Sequence, residues 1–247
     1  MPRTVPLSSA SIQHEAPGQP QLGGPQSAFC IRHFGPGEPG RERLEAFVAE
    51  IFRRVYAARI STFYPHLIGI TRPDASLAAV AGVRSAASQA LFAEFYLDAP
   101  IEASIFARTG RRVTRDRIAE VGNLAPASAG QARWLIAMLT AYLYAAGFSW
   151  VVFTTVPTLY NAFARMGLRP IGLAAADVGR LDPALQDDWG SYYDVGPLVY
   201  AGEIRQGFQV LDGRMCSEQP GLRALWQDAL HCGALDRGSF SDPLYSL

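Results

Sequence analysis

A carboxylate, a loop of small residues and a helix start follow one another between residues 118 and 132. Glu120 stands in an apolar run that predicts a buried strand. Burial raises the pKa of a carboxylate toward the range of a general base. The following segment, 127–132, offers backbone N–H groups and the positive end of a helix dipole, which bind anions. These are the parts needed to hold an acyl thioester and to deprotonate an attacking amine.

The loop 127–132 has two interpretations. Small residues let a ligand approach the backbone, which favours an anion site for a coenzyme A or phosphopantetheine phosphate. The S-x-x-Q pattern at 128–131 is also that of a capping box, which would satisfy the same N–H donors within the chain. The first interpretation predicts as binding residues Ser128, Ala129, Gly130, Gln131 and Ala132.

Glu120 and a nearby aromatic cluster also have structural alternatives. A carboxylate in an apolar strand needs a partner, and Arg84 or Arg59 would supply one while orienting the base. The aromatic cluster predicts either core packing or one wall of an acceptor pocket, and it consists of Trp189, Tyr192 and Tyr193.

Composition limits the partners and the mechanisms. The chain has 247 residues and zero formal net charge, and all 22 of its Lys and Arg positions are arginine. A neutral chain lacks the basic footprint of nucleic-acid binding, and the lack of lysine excludes a Schiff-base mechanism. The sequence contains no G-x-S-x-G, H-E-x-x-H or P-loop signature and no metal-ligand spacing, so we expect no bound metal.

Cysteine usage and the chain termini suggest the compartment and the domain limits. Widely spaced Cys30, Cys216 and Cys232 do not predict a disulfide framework, and the N-terminus has no signal-peptide pattern, so we expect a cytoplasmic protein. Residues 1–27 are rich in Pro, Gly, Ser and Gln, which predicts a flexible arm. The expected domain is 28–210, and a C-terminal extension, 211–247, follows with a short helix at 222–230.

Hydrophobic periodicity predicts an α/β (α+β) fold with a mixed central β-sheet flanked by helices on both faces. A further segment, 92–97, is interpreted as a short strand or an irregular stretch. Helices are expected after Pro100, after Ser128 and after Pro157. The remaining predicted elements are strands at 29–34, 67–71, 78–84, 118–125 and 150–154 and a helix at 41–60.

Two patterns have less specific meanings. No charged residue occurs over the 31 positions 134–164, a length that would span a bilayer. Gly147 and Pro157 divide this run, which favours a buried helix–strand–helix unit instead. Residues 35–40 match G-x-G-x-x-G, but prolines remove backbone donors from the motif, which favours a turn over a dinucleotide site.

A set of short motifs resembles, in its order, the bacterial thermostable hemolysin family over residues 45–204. That family is similar in fold to the GCN5-related N-acetyltransferases and, within that fold, to the acyl-homoserine-lactone synthases. The motifs are FAEFYLDAPIE at 92–102, AEVGNLA at 119–125, FTT at 153–155, FARMGL at 163–168 and WGSYY at 189–193.

The resemblance implies transfer of an acyl group from coenzyme A or an acyl carrier protein to an amine of a small molecule. Glu120 would act as the base, with Arg84 on an earlier strand. The donor would enter a splayed gap between strands 120–125 and 150–154, with the thioester oxygen at the backbone N–H of Leu124 or Ala125. Arg59 and Glu94 join the aromatic cluster as candidate residues for binding the acceptor.

The chain departs from the acetyltransferase pattern at two positions. Ala127 replaces the Gln or Arg that begins the pyrophosphate loop, and Phe163 stands where a general-acid Tyr is frequent. Tyr160, one helical turn earlier, is the candidate substitute. These departures leave long-chain and carrier-protein donors open. We expect no permanently bound cofactor, and the sequence does not determine the oligomeric state.

Two other functions stay open at this point. A membrane-active protein is suggested by the uncharged run and by the family's name, although we expect no stable membrane insertion. A non-catalytic acyl-thioester-binding protein would use the same fold without turnover.

Overall fold

A sheet of seven strands, in the order β1-β2-β3-β4-β5-β7-β6, forms the centre of the protein. This computed structural model describes residues 29–215 and 220–241, so the predicted arm 1–27 and Cys216 lie outside the described residues. In this sheet β4 and β5 run parallel, and the other neighbouring strands run antiparallel. The strands are β1 (Cys30–Phe34), β2 (His66–Thr71), β3 (Leu77–Ser85), β4 (Ile118–Pro126), β5 (Trp150–Thr155), β6 (Ile171–Ala175) and β7 (Leu198–Glu203).

The helices differ from the predicted ones mainly at their ends. The helix predicted at 41–60 stops earlier, because Ala57 adopts a left-handed conformation (φ 54°) and its N–H closes the last turn. The predicted boundary at 210 falls inside α6, and the predicted 222–230 helix is longer than expected. The helices are α1 (Arg41–Tyr56), α2 (Ile101–Thr109), α3 (Ala129–Ala146), α4 (Pro157–Arg165), α5 (Pro183–Gln186), α6 (Ile204–Met215) and α7 (Pro220–Leu235).

Helices cover both faces of the sheet, as the sequence predicts. Alternate residues of β4 show this directly, because side chains alternate between the faces of a strand. Ala119 and Val121 join the core cluster that contains α3 and α7, whereas Ile118 joins the cluster that contains α2. Helix α1 packs against β4, and its apolar residues form a third cluster around Val48.

The uncharged run 134–164 folds into α3, β5 and α4, which confirms the helix–strand–helix interpretation. Within the ranges 29–215 and 220–241, no helix combines the length and the apolar character needed to cross a bilayer. The run therefore belongs to the buried centre of the fold.

The segment predicted as a short strand or irregular stretch at 92–97 is a 3₁₀ helix, Phe92–Tyr96. Carboxylates bind the N–H groups at its start: Glu94 accepts from Leu91, and Glu120 accepts from Phe92 and Ala93. These N–H groups are therefore not available to a neighbouring strand, which is the physical reason that the strand interpretation fails.

Candidate active site

The parallel strands β4 and β5 separate part-way along their length. They pair from Ile118–Trp150 to Val121–Phe153 and no further. Beyond this point β4 keeps its neighbour β3, but the register between them shifts and Asn123 adopts a positive φ of 47°. The strands therefore diverge as a V, which confirms the predicted gap.

A cavity of about 420 Å³ occupies this opening, and we call it the fork cavity. It extends from the free edge of β4 to the starts of α3 and α4 on one side. On the other side it reaches α1 and a wall of aromatic rings. Its lining includes Tyr64, Arg84, Phe92, Leu124, Ser128 and Trp189.

Tyr64 lies in a slot between two glycines that face each other across β3 and β4. Gly82 and Gly122 are register partners. A Cβ on Gly122 would lie 2.5 Å from Cζ of Tyr64, and one on Gly82 would lie 2.7 Å from its Cβ, so both positions need glycine. The backbone N–H of Tyr64 donates to Oδ1 of Asn123 at 2.9 Å, which fixes the start of the side chain.

Glu120 is 1% exposed and tightly held. Its Oε1 accepts from the N–H of Ala93 at 2.7 Å and its Oε2 from that of Phe92 at 2.8 Å. Burial raises the pKa of Glu120, although Arg84 and the two amides favour the charged form. Glu120 does not line the fork cavity itself, and the Tyr64 phenol beside it does.

The Tyr64 phenol and the Arg84 guanidinium complete the surroundings of this carboxylate. Burial and the neighbouring Glu120 raise the pKa of Tyr64 well above its ordinary value, so the phenol stays protonated. The Arg84 guanidinium lies over the Tyr64 ring at 4.1 Å, with its Nε 3.8 Å from Oε2 of Glu120. The predicted ion pair therefore forms between Glu120 and Arg84. Glu120 also lies beside the Tyr64 hydroxyl, which can transfer a proton.

The start of α3 lacks the predicted capping box. Ser128 is the N-cap residue in an extended conformation, but its side chain makes no capping hydrogen bond. Oε1 of Gln131 is buried without a partner among the described residues, and Gly130 is exposed. Ser128 and Ala132 line the fork cavity, so the helix start faces this cavity without a side-chain cap.

Arginines flank this end of the fork cavity. Arg54 of α1 and Arg165 of α4 both line it and are both exposed. Arg54 donates to the carbonyl of Ala127 at 3.5 Å, at the position where Ala127 replaces the usual Gln or Arg. Arg54 thus brings a cationic side chain from another element to this loop, which has only the small side chain of Ala127 at that position.

The aromatic wall is held against the end of α1 by backbone contacts. The N–H of Ser191 donates to the carbonyl of Tyr56 at 2.8 Å, and Gly190 (φ 51°) fits there because a Cβ would overlap that carbonyl. The phenol of Tyr192 donates to the carbonyl of Thr154 at 3.2 Å. The structure places in the cavity lining all three predicted residues, Trp189, Tyr192 and Tyr193.

A second cavity of about 240 Å³ continues along α3, and we call it the α3 cavity. Val121 and Leu124 line both cavities. One face of α3 passes from one to the other: Ala132 lines the fork cavity, and Ile136 and Thr140, each one turn further on, line the α3 cavity. The walls are mainly apolar, and the far end reaches the surface at exposed residues Arg169 and Gln206.

Residues 34–208 match the family described as Thermostable hemolysin. The chain belongs to the thermostable hemolysin family. The match covers all strands of the sheet except most of β1, and it includes all residues that line the fork cavity. A comparison with curated proteins found no match.

Solved structures similar to this member of the thermostable hemolysin family share its fold. FeeM, an N-acyl amino acid synthase from uncultured soil microbes, has a TM-score of 0.50 and 18% identity over 72% of this chain and 92% of that chain. TofI in an apo form has a TM-score of 0.50 and 12% identity over 78% and 98%. The AHL synthase LasI has a TM-score of 0.49 and 10% identity over 72% and 91%. The likeness to FeeM and TofI shows a shared fold, which agrees with the expected mixed sheet flanked by helices.

Three residues predicted for the site lie elsewhere in this family member. Tyr160 stacks on Tyr200 with ring centroids 4.9 Å apart and does not line the fork cavity. Arg59 is exposed and pairs with Asp188 at 3.4 Å. Ring stacking and an exposed ion pair hold these two side chains away from the cavity.

Glu94 is the third such residue. Burial opposes its charge, but hydrogen bonds from Arg115, Ile101 and Leu91 lower its pKa to about 2. It therefore joins the 3₁₀ helix to the start of α2 and does not line the fork cavity.

Tyr64 was not predicted from the sequence. Its signal is the pair of glycines on β3 and β4, which gains meaning once the register places Gly82 opposite Gly122. Of the predicted thioester residues, Leu124 lines the fork cavity and Ala125 is buried.

Proposed function

We propose that this protein is an N-acyltransferase that moves an acyl group from a coenzyme A or acyl-carrier thioester to an amine of a small molecule. The observation that carries the proposal is the fork cavity, which reaches the free edge of β4, the start of α3 and the Tyr64 phenol. FeeM, which shares the fold, is an N-acyl amino acid synthase and supports the same class of reaction.

The donor's phosphopantetheine arm would enter between β4 and β5. Beyond Val121, β4 has no β5 neighbour, so its edge is free to bind the amide groups of the arm. The start of α3, which has no side-chain cap, would bind the donor phosphate together with Arg54, which contacts the loop before it. The thioester oxygen would accept from the N–H of Leu124 or Ala125 as negative charge develops on it.

The amine would attack the thioester carbon directly. A C–N bond forms, the C–S bond breaks, and the thiolate leaves with the electron pair. As the amine loses its proton, the Tyr64 hydroxyl accepts it while passing its own proton to Glu120, and that proton later neutralises the thiolate. Glu120 is suited to this relay because burial raises its pKa.

The acyl chain would occupy the α3 cavity. This cavity begins at Val121 and Leu124, where the thioester carbon would lie, and its walls are mainly apolar. Burial of each methylene group there stabilises the bound donor by about 0.8 kcal/mol. The proposal therefore favours donors with chains longer than acetyl.

Thiol release from a panel of acyl-coenzyme A and acyl-carrier donors, with a panel of amines, tests the proposal. Glu120→Gln should lower kcat by about 100-fold or more, because it removes the proton acceptor. Tyr64→Phe, which keeps the ring and removes the hydroxyl, should have a similar effect. In the wild type, kcat/KM should fall as the pH drops through a pKa above the ordinary 4.5, since Glu120 must be ionised to accept the proton.

Glu94→Gln is the matched control, because Glu94 binds the start of the same 3₁₀ helix, whereas Glu120 also lies beside Tyr64. It should keep most of the activity. An equal loss in both Gln variants would show that Glu120 acts through the 3₁₀ helix alone. Tight binding of coenzyme A without thiol release from any donor would contradict catalysis and favour a ligand-binding protein.

A further inference from the structure

The charges that line the fork cavity have one sign. The charged residues in its lining are Arg54, Arg84 and Arg165, and no aspartate or glutamate of the described part of the chain lines it. Glu120 lies behind this surface and is 1% exposed. A bound molecule therefore meets a positive potential, which attracts negative groups and repels a second positive charge.

Arg84 differs from the other two arginines in its position. Arg54 and Arg165 are exposed, whereas the Arg84 side chain is 13% exposed and lies deeper, over Tyr64. Its Nη1 donates to the carbonyl of Ala90 at 3.3 Å, and its Nε is buried without a hydrogen-bond partner among the described residues. Arg84 lines the fork cavity, so its guanidinium can donate further hydrogen bonds to a bound group.

Arg84 and Glu120 form a neighbouring pair of opposite charges, with Nε and Oε2 3.8 Å apart. Tyr64 connects the carboxylate of this pair to the cavity. An α-amino acid carries its amine and its carboxylate on one carbon atom, so the two groups are similarly close. Its amine would point to Tyr64 while its carboxylate accepts charge-assisted hydrogen bonds from Arg84.

The walls beside this pair are aromatic. The rings of Phe92 and Trp189 lie 5.6 Å apart, and those of Trp189 and Tyr193 lie 5.8 Å apart. Such walls fit a flat, uncharged side chain by ring stacking and apolar burial. As far as the structure describes the chain, these walls contain no carboxylate that could pair with a cationic side chain.

We propose that the acceptor is an α-amino acid with a neutral, flat side chain, and that Arg84 determines this specificity by binding the acceptor carboxylate. The inference rests on the proposed acyl transfer and defines its substrate class. The products are an N-acyl amino acid and the free thiol of the donor.

The test compares acceptors that differ in the carboxylate alone. Phenylalanine and phenylalaninamide are supplied with one acyl-coenzyme A, and kcat/KM is measured for the wild type, Arg84→Gln and Arg84→Lys. The preference for the acid over the amide should fall by about 10- to 100-fold in Arg84→Gln, because one charged hydrogen-bond partner is lost. Arg84→Lys should keep part of the preference. Lysine as acceptor should be acylated at its α-amine more slowly than phenylalanine.

The ratio of kcat/KM for the acid to kcat/KM for the amide, compared between enzymes, does not depend on the folded fraction of the sample or on acceptor basicity. A partly unfolded Arg84→Gln sample lowers both rates alike, and the different basicities of the two acceptors cancel between enzymes. Arg165→Gln is the matched control, since it removes another arginine of the cavity lining and should not alter the acid-to-amide ratio.

The outcomes separate the two proposals. An unchanged acid-to-amide ratio in Arg84→Gln, with acyl transfer intact, overturns this inference and leaves the N-acyltransferase proposal standing. An equal effect of Arg165→Gln on the ratio also overturns it. Absence of transfer by the wild type to every amine overturns both proposals.

Discussion

Gly122 shows how a single missing side chain builds the site. Because a Cβ there would lie 2.5 Å from Cζ of Tyr64, Gly122→Ala should displace the phenol from Glu120. The expected loss of unfolding free energy is about 1–3 kcal/mol, typical of overpacking, and it is measured by denaturant titration. Gly35→Ala, where nothing lies within 4 Å, is the matched control and should change stability far less.

A double-mutant cycle identifies the cause of that loss. If the added methyl group acts through the Tyr64 ring, Gly122→Ala should cost much less stability when Tyr64 is already alanine. Equal costs in the two backgrounds would show that the strand itself rejects a side chain at 122, and the slot would not explain the glycine.

For single residues, the sequence predicts which side chains belong to the site better than it predicts which residues lie next to them. Glu120 and Arg84 stand out because charges in apolar strands need partners, and the structure pairs them. Tyr64 and the opposed glycines depend on strand register, which residue types alone do not determine. Glu94 was predicted to bind the acceptor, but its carboxylate accepts a hydrogen bond from the backbone at the start of a 3₁₀ helix. Its residue type does not reveal this contact.

Among the elements, α3 links the two cavities along one face, and Gly207 of α6 borders the α3 cavity opposite it. A Cβ at Gly207 would touch Thr140 and Leu168 at 3.5 Å, so Gly207→Leu should fill the cavity. In the wild type, kcat/KM should rise about fourfold per added methylene of the acyl chain. Gly207→Leu should abolish this rise while sparing short donors.

Gly213→Leu is the matched control on the same helix, since no atom lies within 4 Å of a Cβ there. Both variants change the intrinsic helix propensity equally, but Gly213→Leu should keep the wild-type dependence on chain length. A chain-length profile that responds to both, or to neither, would place the acyl chain outside the α3 cavity.

Element predictions succeed where apolar periodicity is strong, as in β4, α3 and β5. They fail where polar groups decide the local structure. The 3₁₀ helix Phe92–Tyr96 depends on Glu120, which lies far away in the sequence, and the capping pattern at Ser128 does not lead to a capping bond. In both places the residues of the segment itself do not reveal which hydrogen bonds form.

At the level of the whole molecule, α7 and the segment after it complete the core although they lie outside the family match, 34–208. Trp226 and Phe240 are 1% and 3% exposed, and both belong to the cluster around α3. Apolar periodicity predicts a helix here but does not reveal which face of the sheet it covers. The segment is attached to β1 and β2 partly through polar contacts between Asp236, His33 and His66.

These polar contacts predict how stability depends on pH. His66 is 3% exposed, and burial, followed by the positive potential of His33 and Arg41, lowers its pKa from 6.5 to about 4. The unfolded chain therefore binds a proton at a higher pH than the folded chain does. The His66 contribution to stability is complete above about pH 6.5 and declines by up to about 3 kcal/mol as the pH falls to about 4.

Denaturant unfolding between pH 7 and pH 4 measures this decline, and His66→Gln should flatten the part of the curve between pH 6.5 and 4. The carboxylates contribute to the wild-type slope as well, so the difference between the two proteins is the quantity to compare. The control is His231→Gln, at an exposed position of α7, which should follow the wild type. Parallel curves for the wild type and His66→Gln would show that His66 binds a proton in the folded protein as readily as in the unfolded chain. The C-terminal segment would then be held to β1 and β2 by its apolar packing, independently of this histidine's protonation.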